Sequence, residues 1–278
     1  MKTAYLNNGE VIDALEYIES IHGSEVYCID QSCKAPVIYV SGTETKSPYF
    51  KTSGKHNSKH SHDCGFFRTL DFKESLQKIE DYQKELIGNG FKENIIKLNF
   101  NKMDPEYISK STERTAEDKS KTEERVKVKP DSSTPQTVTS LKSVYKLFTS
   151  NDLDILSSII ISVKGFKIPI SELILGQKSI HDKLWNDELI PRMPYFVYGK
   201  IEFAVKREKV MYINFEKIDD TKLTVVLFDK YFKYFSYEPE SLIGKEVMVW
   251  GDVRKNNYKS ANSTEVVIKS DKYIEIIN

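Results

Sequence analysis

Five runs of alternating apolar and polar residues occupy the last third of the chain, residues 194–278. The first three runs begin at Tyr195, Val210 and Leu223 and are joined by short polar turns, a pattern typical of consecutive β-strands. Residues 229–241 interrupt the alternation with a cluster of aromatic side chains and predict a helical insert. Two more runs follow, at 242–251 and 265–277, so the pattern predicts three strands, an insert and two strands.

This order and the phrase IGKEVMVWGDV at residues 243–253 resemble an OB-fold, a five-stranded Greek-key barrel. The resemblance implies a nucleic-acid groove on the second and third strands, between the loop that joins strands one and two and the loop that joins strands four and five. OB-folds also bind sugars or proteins, and that alternative stays open.

Both loops that the resemblance places beside the groove carry cations, which suit phosphates. In the second strand, Tyr212 and Asn214 alternate with apolar residues and are expected to face outward, with Tyr212 as a stacking platform for unpaired bases. The candidate nucleic-acid contacts are Lys206, Arg207, Lys209, Tyr212, Asn214, Arg254, Lys255, Tyr258 and Lys259. An alternative is that both loops are ordinary solvated hairpin turns.

Charge is abundant but cancels, with 41 basic and 41 acidic residues, which excludes the global basic field of a protein that coats duplex DNA. The longest apolar candidate, residues 153–163, is too short to cross a bilayer, and residues 1–8 lack the apolar centre of a secretory signal. We therefore expect a cytoplasmic protein without a membrane partner. The Lys-, Asn- and Ile-rich composition is typical of a low-GC bacterial or mobile-element origin.

The three cysteines lie within the first 64 residues, together with four of the five histidines, which indicates metal binding. Cys28 and Cys33 flank a four-residue knuckle, and His60 and Cys64 are separated by three residues. These four residues predict a closed structural zinc site without an open position for water. His62 and His56 are the alternative ligands to His60, and buried free cysteines beside surface histidines are the alternative to a metal site.

A second resemblance covers residues 25–68. Cys28 and Cys33, the aromatic stretch YFKT at 49–52, and HSHDC at 60–64 resemble the N-terminal zinc finger that precedes the nuclease in competence CoiA-like proteins. The first cysteine pair is more widely spaced than the commoner Cys-x2-Cys. The acidic triad of the associated nuclease, with its Glu-x-Lys spacing, does not occur downstream, so the resemblance does not imply cleavage. Residues 45–62 between the half-sites contain four lysines and no acid, which suits phosphate contact or an ordinary solvated loop.

The sequence predicts an α+β fold in four parts. A zinc-binding α/β module at 1–102 contains a packing helix over 9–21, the finger, a helix over 71–88 that begins with an Asp71–Glu74 capping box, and a strand near 91–100. A polar, charge-balanced segment at 103–140 predicts a flexible, disordered linker. Residues 141–193 predict a helical collar that packs onto the barrel, and residues 194–278 the barrel itself.

Catalytic motifs are scarce, since the chain contains no phosphate loop, dinucleotide fingerprint or Gly-x-Ser-x-Gly elbow. We therefore expect a non-catalytic protein that binds single-stranded DNA or RNA through the barrel. One alternative is an adaptor that recruits a nuclease or helicase. A weaker alternative is a metal-dependent nuclease, whose carboxylates would converge on magnesium.

Overall fold

A computed structural model describes residues 1–88, 93–108, 136–258 and 261–277. The described residues form an N-terminal sheet with a long helix, a central mixed sheet with short helices, and a C-terminal barrel. In these residues, no helix combines the length and the apolar character needed to cross a membrane.

The N-terminal unit is a five-stranded sheet in the order β2-β1-β3-β4-β5, with every neighbouring pair antiparallel. Its apolar centre contains Ala4, Val26, Val37 and Phe50. In chain order its elements are β1 (Thr3–Leu6), β2 (Val11–Asp13), α1 (Glu19–His22), β3 (Val26–Cys28), β4 (Pro36–Val40), β5 (Tyr49–Lys51) and α2 (Phe72–Gly88).

The helix predicted over residues 9–21 is wrong. Gly9 adopts a positive φ of 86°, and its amide donates to the Leu6 carbonyl, so a tight turn folds β2 back onto β1. Asn-Gly is a strong hairpin signal, and here it prevails over the apolar spacing that favoured a helix. As a result, Leu15, Ile18 and Ile21 are 50%, 52% and 72% exposed.

The central unit is a four-stranded sheet in the order β7-β6-β8-β9, in which β6 is parallel to both neighbours and β9 is antiparallel to β8. Ser140 caps α3 by accepting a hydrogen bond from the Ser143 amide. The elements are β6 (Asn94–Leu98), β7 (Gln136–Val138), α3 (Leu141–Ser150), α4 (Leu153–Ser157), β8 (Ile159–Val163), β9 (Phe166–Pro169) and α5 (Ile170–Leu173).

This unit corrects three expectations about the middle of the chain. The strand predicted near 91–100 is present as β6, but it pairs with β7 and β8 and not with the N-terminal sheet. The predicted helical collar contains strands as well as helices. Of the predicted linker, residues 109–135 lie outside the described residues, whereas Met103 is buried and 136–138 form β7, so both ends belong to the folded unit.

The C-terminal unit is a closed barrel of five strands in the order β11-β12-β13-β15-β14, with β14 pairing back onto β11. The β13–β15 pair is parallel and the other pairs of the barrel are antiparallel, which confirms the predicted OB-like arrangement. Its elements are β11 (Pro194–Lys206), β12 (Val210–Phe215), β13 (Lys222–Phe228), α7 (Pro239–Leu242), β14 (Glu246–Tyr258) and β15 (Ala261–Ile268). The predicted insert is α7 together with a 3-10 helix at Asp229–Tyr234.

Three smaller elements join the barrel to the rest of the molecule. A short strand, β10 (Ile174–Gly176), runs parallel to β11, and β16 (Ile274–Ile276) pairs with β14. The helix α6 (Gln177–Trp185) contacts β14 and β15. At the interface with the central unit, the rings of Phe196 and Trp250 pack against each other and both meet Phe100 edge-on.

The buried carboxylate of Asp154 joins β1 to the central unit through hydrogen bonds. Asp154, at the start of α4, is fully buried and accepts hydrogen bonds from the Lys2 amide at 2.5 Å, the Thr3 amide at 2.7 Å and the Thr3 hydroxyl at 2.9 Å. A buried carboxylate is tolerated only where donors surround it, and β1 supplies those donors.

Candidate functional sites

The predicted metal ligands converge in the N-terminal unit. Cys28 ends β3, and Cys33 follows a turn in which the Cys33 and Lys34 amides both donate to the Asp30 carbonyl. The remaining two ligands come from the segment after β5. The four candidate donor atoms of Cys28, Cys33, His60 and Cys64 lie within 4.8 Å of one another.

The distances between the candidate donor atoms match those expected around a tetrahedral metal ion. Zinc bonds of about 2.3 Å to sulfur and about 2.0 Å to nitrogen, set at tetrahedral angles, place two sulfurs about 3.8 Å apart and sulfur and nitrogen about 3.5 Å apart. The Cys28 and Cys64 sulfurs are 3.7 Å apart, and His60 Nδ1 lies 3.5 Å from the Cys33 sulfur and 3.4 Å from the Cys64 sulfur. The residues therefore fit a single metal ion.

Local electrostatics differ between the candidate ligands: they favour a thiolate at Cys64 and a neutral imidazole at His60, and they oppose ionisation of the Cys28 thiol. The Ser61 amide donates to the Cys33 sulfur and the Phe66 amide to the Cys64 sulfur, each at 3.4 Å. A hydrogen bond from the Cys28 thiol lowers the pKa of Cys64 to about 7, whereas that bond and burial raise the pKa of Cys28. Burial lowers the pKa of His60, which favours the neutral imidazole that metals bind.

The other two candidate histidines are not part of this cluster. The His62 ring packs against Phe67 at a centroid distance of 4.4 Å, and His56 lies at an exposed turn with a positive φ of 49°. His60 is therefore the histidine of the four-residue cluster.

Asp30 connects the cysteine knuckle to α2. Although burial opposes the charged form, hydrogen bonds from Ser32, Tyr82, the Gly65 amide and Lys78 lower the pKa of Asp30 to about 2. The Tyr82 hydroxyl donates to the carboxylate at 2.7 Å and the Lys78 ammonium at 3.2 Å. This role could not be predicted from the sequence, because it depends on a helix that begins 42 positions after Asp30 in the chain.

On the barrel, Tyr212 and Asn214 face outward, as predicted. Met211, Ile213 and Phe215 fill the interior, and Asn214 accepts a hydrogen bond from Thr224 on the neighbouring strand. Tyr212 is half-buried and lies opposite Val205 of β11.

The sequence analysis did not identify two apolar neighbours of Tyr212. A β-bulge between Ile201 and Phe203 shifts the register of β11, so Ile201 points into the barrel while Phe203 and Val205 point out. These two side chains are 45% and 40% exposed. We call Phe203, Val205 and Tyr212 the outer apolar patch.

The predicted cationic loop between β11 and β12 lies beside this patch. Lys206 places its ammonium 4.9 Å from the centre of the Phe232 ring, while Arg207 and Lys209 are exposed. Within the described residues, neither Arg207 nor Lys209 takes part in an ion pair.

The predicted second cationic loop lies at the other end of the barrel strands. The β11–β12 turn adjoins the Phe228 end of β13, whereas the β14–β15 hairpin extends beyond the Lys222 end. The seven residues of β13 separate these ends by about 20 Å. The outer face of β12 and β13 therefore lies between the loops, which do not meet at one end.

The prediction that Arg254 and Lys255 lie in the second loop is wrong, because β14 continues to Tyr258 and both residues pair with β15. Arg254 forms an ion pair with the nearly buried Glu265 at 2.7 Å and lies over the Phe228 ring, and Lys255 forms an ion pair with Asp187 at 2.6 Å. The Tyr258 side chain and Lys259 lie outside the described residues.

A cleft of about 1200 Å³ lies where the three units meet. Phe72 forms its aromatic floor, with Phe148 at a centroid distance of 4.9 Å and Tyr198 edge-on at 5.7 Å. Of the three lysines that line it, Lys178 and Lys200 form ion pairs with Asp219 and Glu216, whereas Lys73 is exposed and forms no ion pair among the described residues.

Comparisons with known proteins add little to this picture. No family model and no curated protein matches the chain. It is similar to a solved structure from Leishmania major Friedlin assigned as an aspartyl-tRNA synthetase, with 13% identity and a TM-score of 0.25. The match covers 38% of this chain and 20% of that chain, so the matched part of this chain corresponds to about a fifth of that protein. At such a TM-score the similarity has no bearing on function.

Proposed function

We propose that this protein binds single-stranded DNA or RNA on the outer face of its barrel, without catalysing a reaction on it. The supporting observation is the outer apolar patch, in which outward-facing Tyr212 lies opposite exposed Val205. The cationic turn with Arg207 and Lys209 adjoins this patch in the chain and in space.

Stacking supplies the affinity in this mode. Unpaired bases stack on tyrosine and phenylalanine rings, and each stacked base contributes about 1–3 kcal/mol with little dependence on sequence. Cations at the turn contact phosphates and make binding weaker as salt rises. Because the charges of the whole chain cancel, this electrostatic term depends on local groups of cations, of which the turn is one.

We also propose that zinc occupies the Cys28, Cys33, His60 and Cys64 cluster and stabilises the N-terminal unit. Three cysteines and one histidine are a common structural zinc set, and four protein ligands leave no position for a reactive water. The resemblance to the finger of competence CoiA-like proteins agrees with this role, which does not include cleavage.

Fluorescence anisotropy with labelled 20-nucleotide oligo(dT) and oligo(U), at two salt concentrations, tests the nucleic-acid proposal. Tyr212→Ala should weaken binding by about 5- to 150-fold, which corresponds to about 1–3 kcal/mol. Tyr107→Ala is the matched control, since Tyr107 is 46% exposed and lies outside the barrel. Absence of binding by the unmodified protein, or equal binding by Tyr212→Ala, would contradict the proposal.

A second candidate function is recruitment of a partner protein such as a nuclease or helicase. Leu15, Ile18 and Ile21 are at least half exposed within seven consecutive residues, an arrangement suited to docking. Residues 3–33 around them contain six acids and no Lys or Arg, which favours a basic partner. Replacing all three with serine should abolish partner capture and leave oligonucleotide binding unchanged. If the protein captures such a partner but has no affinity for oligonucleotides, the adaptor function replaces the first proposal.

A further inference from the structure

The N-terminal unit carries a concentrated group of unpaired cations. Between Glu44 and Asp63 the chain contains Lys46, Lys51, Lys55 and Lys59 and no acidic residue. All four lysines are exposed, and within the described part of the chain none of them forms an ion pair. We call residues 46–59 the lysine loop.

The lysine loop has a defined conformation. The Ser58 hydroxyl donates to the Pro36 carbonyl at 2.7 Å and accepts from the Ser53 amide at 2.8 Å, while the Gly54 amide donates to the Ser58 carbonyl. Gly54 and His56 adopt positive φ angles of 74° and 49° and complete the turn. Because Ser58 is buried beneath this turn, Lys55 and Lys59 project from a fixed support.

The candidate metal cluster adjoins the C-terminal end of the lysine loop. Lys59, the last residue of the lysine loop, directly precedes the candidate ligand His60, and Lys51 lies on β5, a strand within the same segment. Lys2 adds a further cation, because its ammonium donates to the carbonyls of Ser47 and Pro48. Five positive charges therefore lie along one short, structured segment.

Protection of a sheet edge does not explain this arrangement. Lysine on an edge strand discourages edge-to-edge pairing, and β5 is an edge of the five-stranded sheet, so that role accounts for Lys51. Lys46, Lys55 and Lys59 lie outside the strand. Elsewhere in the described residues some lysines, such as Lys78, Lys178 and Lys255, are paired with a carboxylate, and others, such as Lys97 and Lys142, are not. The distinguishing feature of the lysine loop is therefore four lysines within 14 residues that contain no acid.

We infer that the lysine loop is a second phosphate-contacting site, which binds the backbone of the same nucleic acid strand that the barrel binds. This inference rests on the proposed function. The loop lacks an exposed apolar patch of the kind found on the barrel, so it should contribute charge and not stacking. Contact through phosphates is independent of sequence and releases counterions, which makes it measurable as a salt dependence.

The test compares the full chain with a variant in which Lys46, Lys51, Lys55 and Lys59 are all replaced by Gln. The matched control replaces Lys97, Lys102, Lys142 and Lys167, which are also exposed and outside ion pairs among the described residues. Binding of labelled 40-nucleotide oligo(dT) is measured from 50 to 300 mM salt. Each lysine that meets a phosphate should contribute about 0.7 to the slope of log affinity against log salt, so the lysine-loop variant should lose up to about 2.8 units.

The outcomes separate this inference from the proposed function. A wild-type protein that fails to bind any oligonucleotide overturns both. Wild-type binding with an unchanged slope in the lysine-loop variant, or an equal loss in the control, overturns only the second site. Binding to vesicles of phosphatidylserine that depends on the same lysines, without a change in oligonucleotide affinity, overturns it in favour of a membrane surface. The second site is supported if the slope of log affinity against log salt decreases in the lysine-loop variant but not in the control variant. The lysine-loop variant must also retain its zinc content.

Discussion

The hydroxyl of Tyr82 donates a 2.7 Å hydrogen bond to the buried carboxylate of Asp30. Asp30 lies inside the knuckle between Cys28 and Cys33, and Tyr82 lies on α2, so this bond joins the candidate metal cluster to the long helix. The same carboxylate accepts from the Gly65 amide, next to Cys64. One anion thus orients both halves of the cluster.

Tyr82→Phe should therefore destabilise the protein by about 1.5–3 kcal/mol, the range for a hydrogen bond to a charged group. The phenyl ring retains the packing against Phe66, so the loss reports the hydroxyl. Urea unfolding of the metal-loaded protein measures the change. Tyr107→Phe, at an exposed position, should have no effect; an equal loss there would argue against the assigned bond.

The metal proposal predicts one zinc ion per chain by elemental analysis. His60→Ala and Cys33→Ser should lose the ion, whereas His62→Ala should keep it, because His62 lies outside the cluster. Chelation should lower the melting temperature of the N-terminal unit, since zinc contributes about 10–16 kcal/mol to the folding of zinc-finger peptides. Retention of zinc by His60→Ala would show that the ligand set is wrong.

Gly65→Ala should destabilise the protein by about 1–3 kcal/mol through overpacking. A methyl group at this position would lie 2.5 Å from the Tyr82 hydroxyl oxygen and 2.7 Å from a methyl carbon of Leu153. Combining it with Tyr82→Phe removes one of these clashes, so the double variant should lose less than the sum of the single losses. Strict additivity in urea unfolding would refute this close approach.

Asp154→Ala should cost about 2–5 kcal/mol, because two backbone amides and a hydroxyl lose their acceptor in a buried position. Hydrogen exchange at Thr3 should accelerate as β1 separates from α4. Asp152→Ala is the control, since the Asp152 side chain is 50% exposed and its ion-pair contact should contribute less than about 1 kcal/mol. Similar losses of stability in Asp154→Ala and Asp152→Ala would show that Asp154 does not hold β1 against α4.

Phe203→Ser and Val205→Ser should weaken oligonucleotide binding and leave the stability of the barrel nearly unchanged. Both side chains are at least 40% exposed, so their removal opens little cavity. Anisotropy and thermal melting, carried out on the same samples, separate the two effects. Ile201→Ser should instead lower the melting temperature of the barrel and have little effect on oligonucleotide binding by the folded protein, because Ile201 is fully buried. Unchanged binding by both outward-facing variants would remove the outer apolar patch from the proposed site.

The convergence of Cys28, Cys33, His60 and Cys64 could be predicted from sequence because short-range spacing limits where these residues can lie. Cys28 and Cys33 flank a turn, and His60 and Cys64 share one short segment, so each half-site is local. The strands of the barrel were also predictable from local alternation, whereas their order depends on long-range pairing of β11 with β14 and of β13 with β15. The outward position of Tyr212 followed from simple alternation within β12.

Other features depended on contacts between distant residues. The bulge in β11 reversed the alternation that would have placed Phe203 inside, and Asp154 received its donors from residues about 150 positions away. The strand β6 pairs with β7 and β8 of the central sheet. The sequence by itself determined the turns, the ligand spacing and the period of the strands, because these depend on neighbouring residues. Tertiary structure alone decided which faces were covered, because burial depends on pairing between segments that are far apart in the chain.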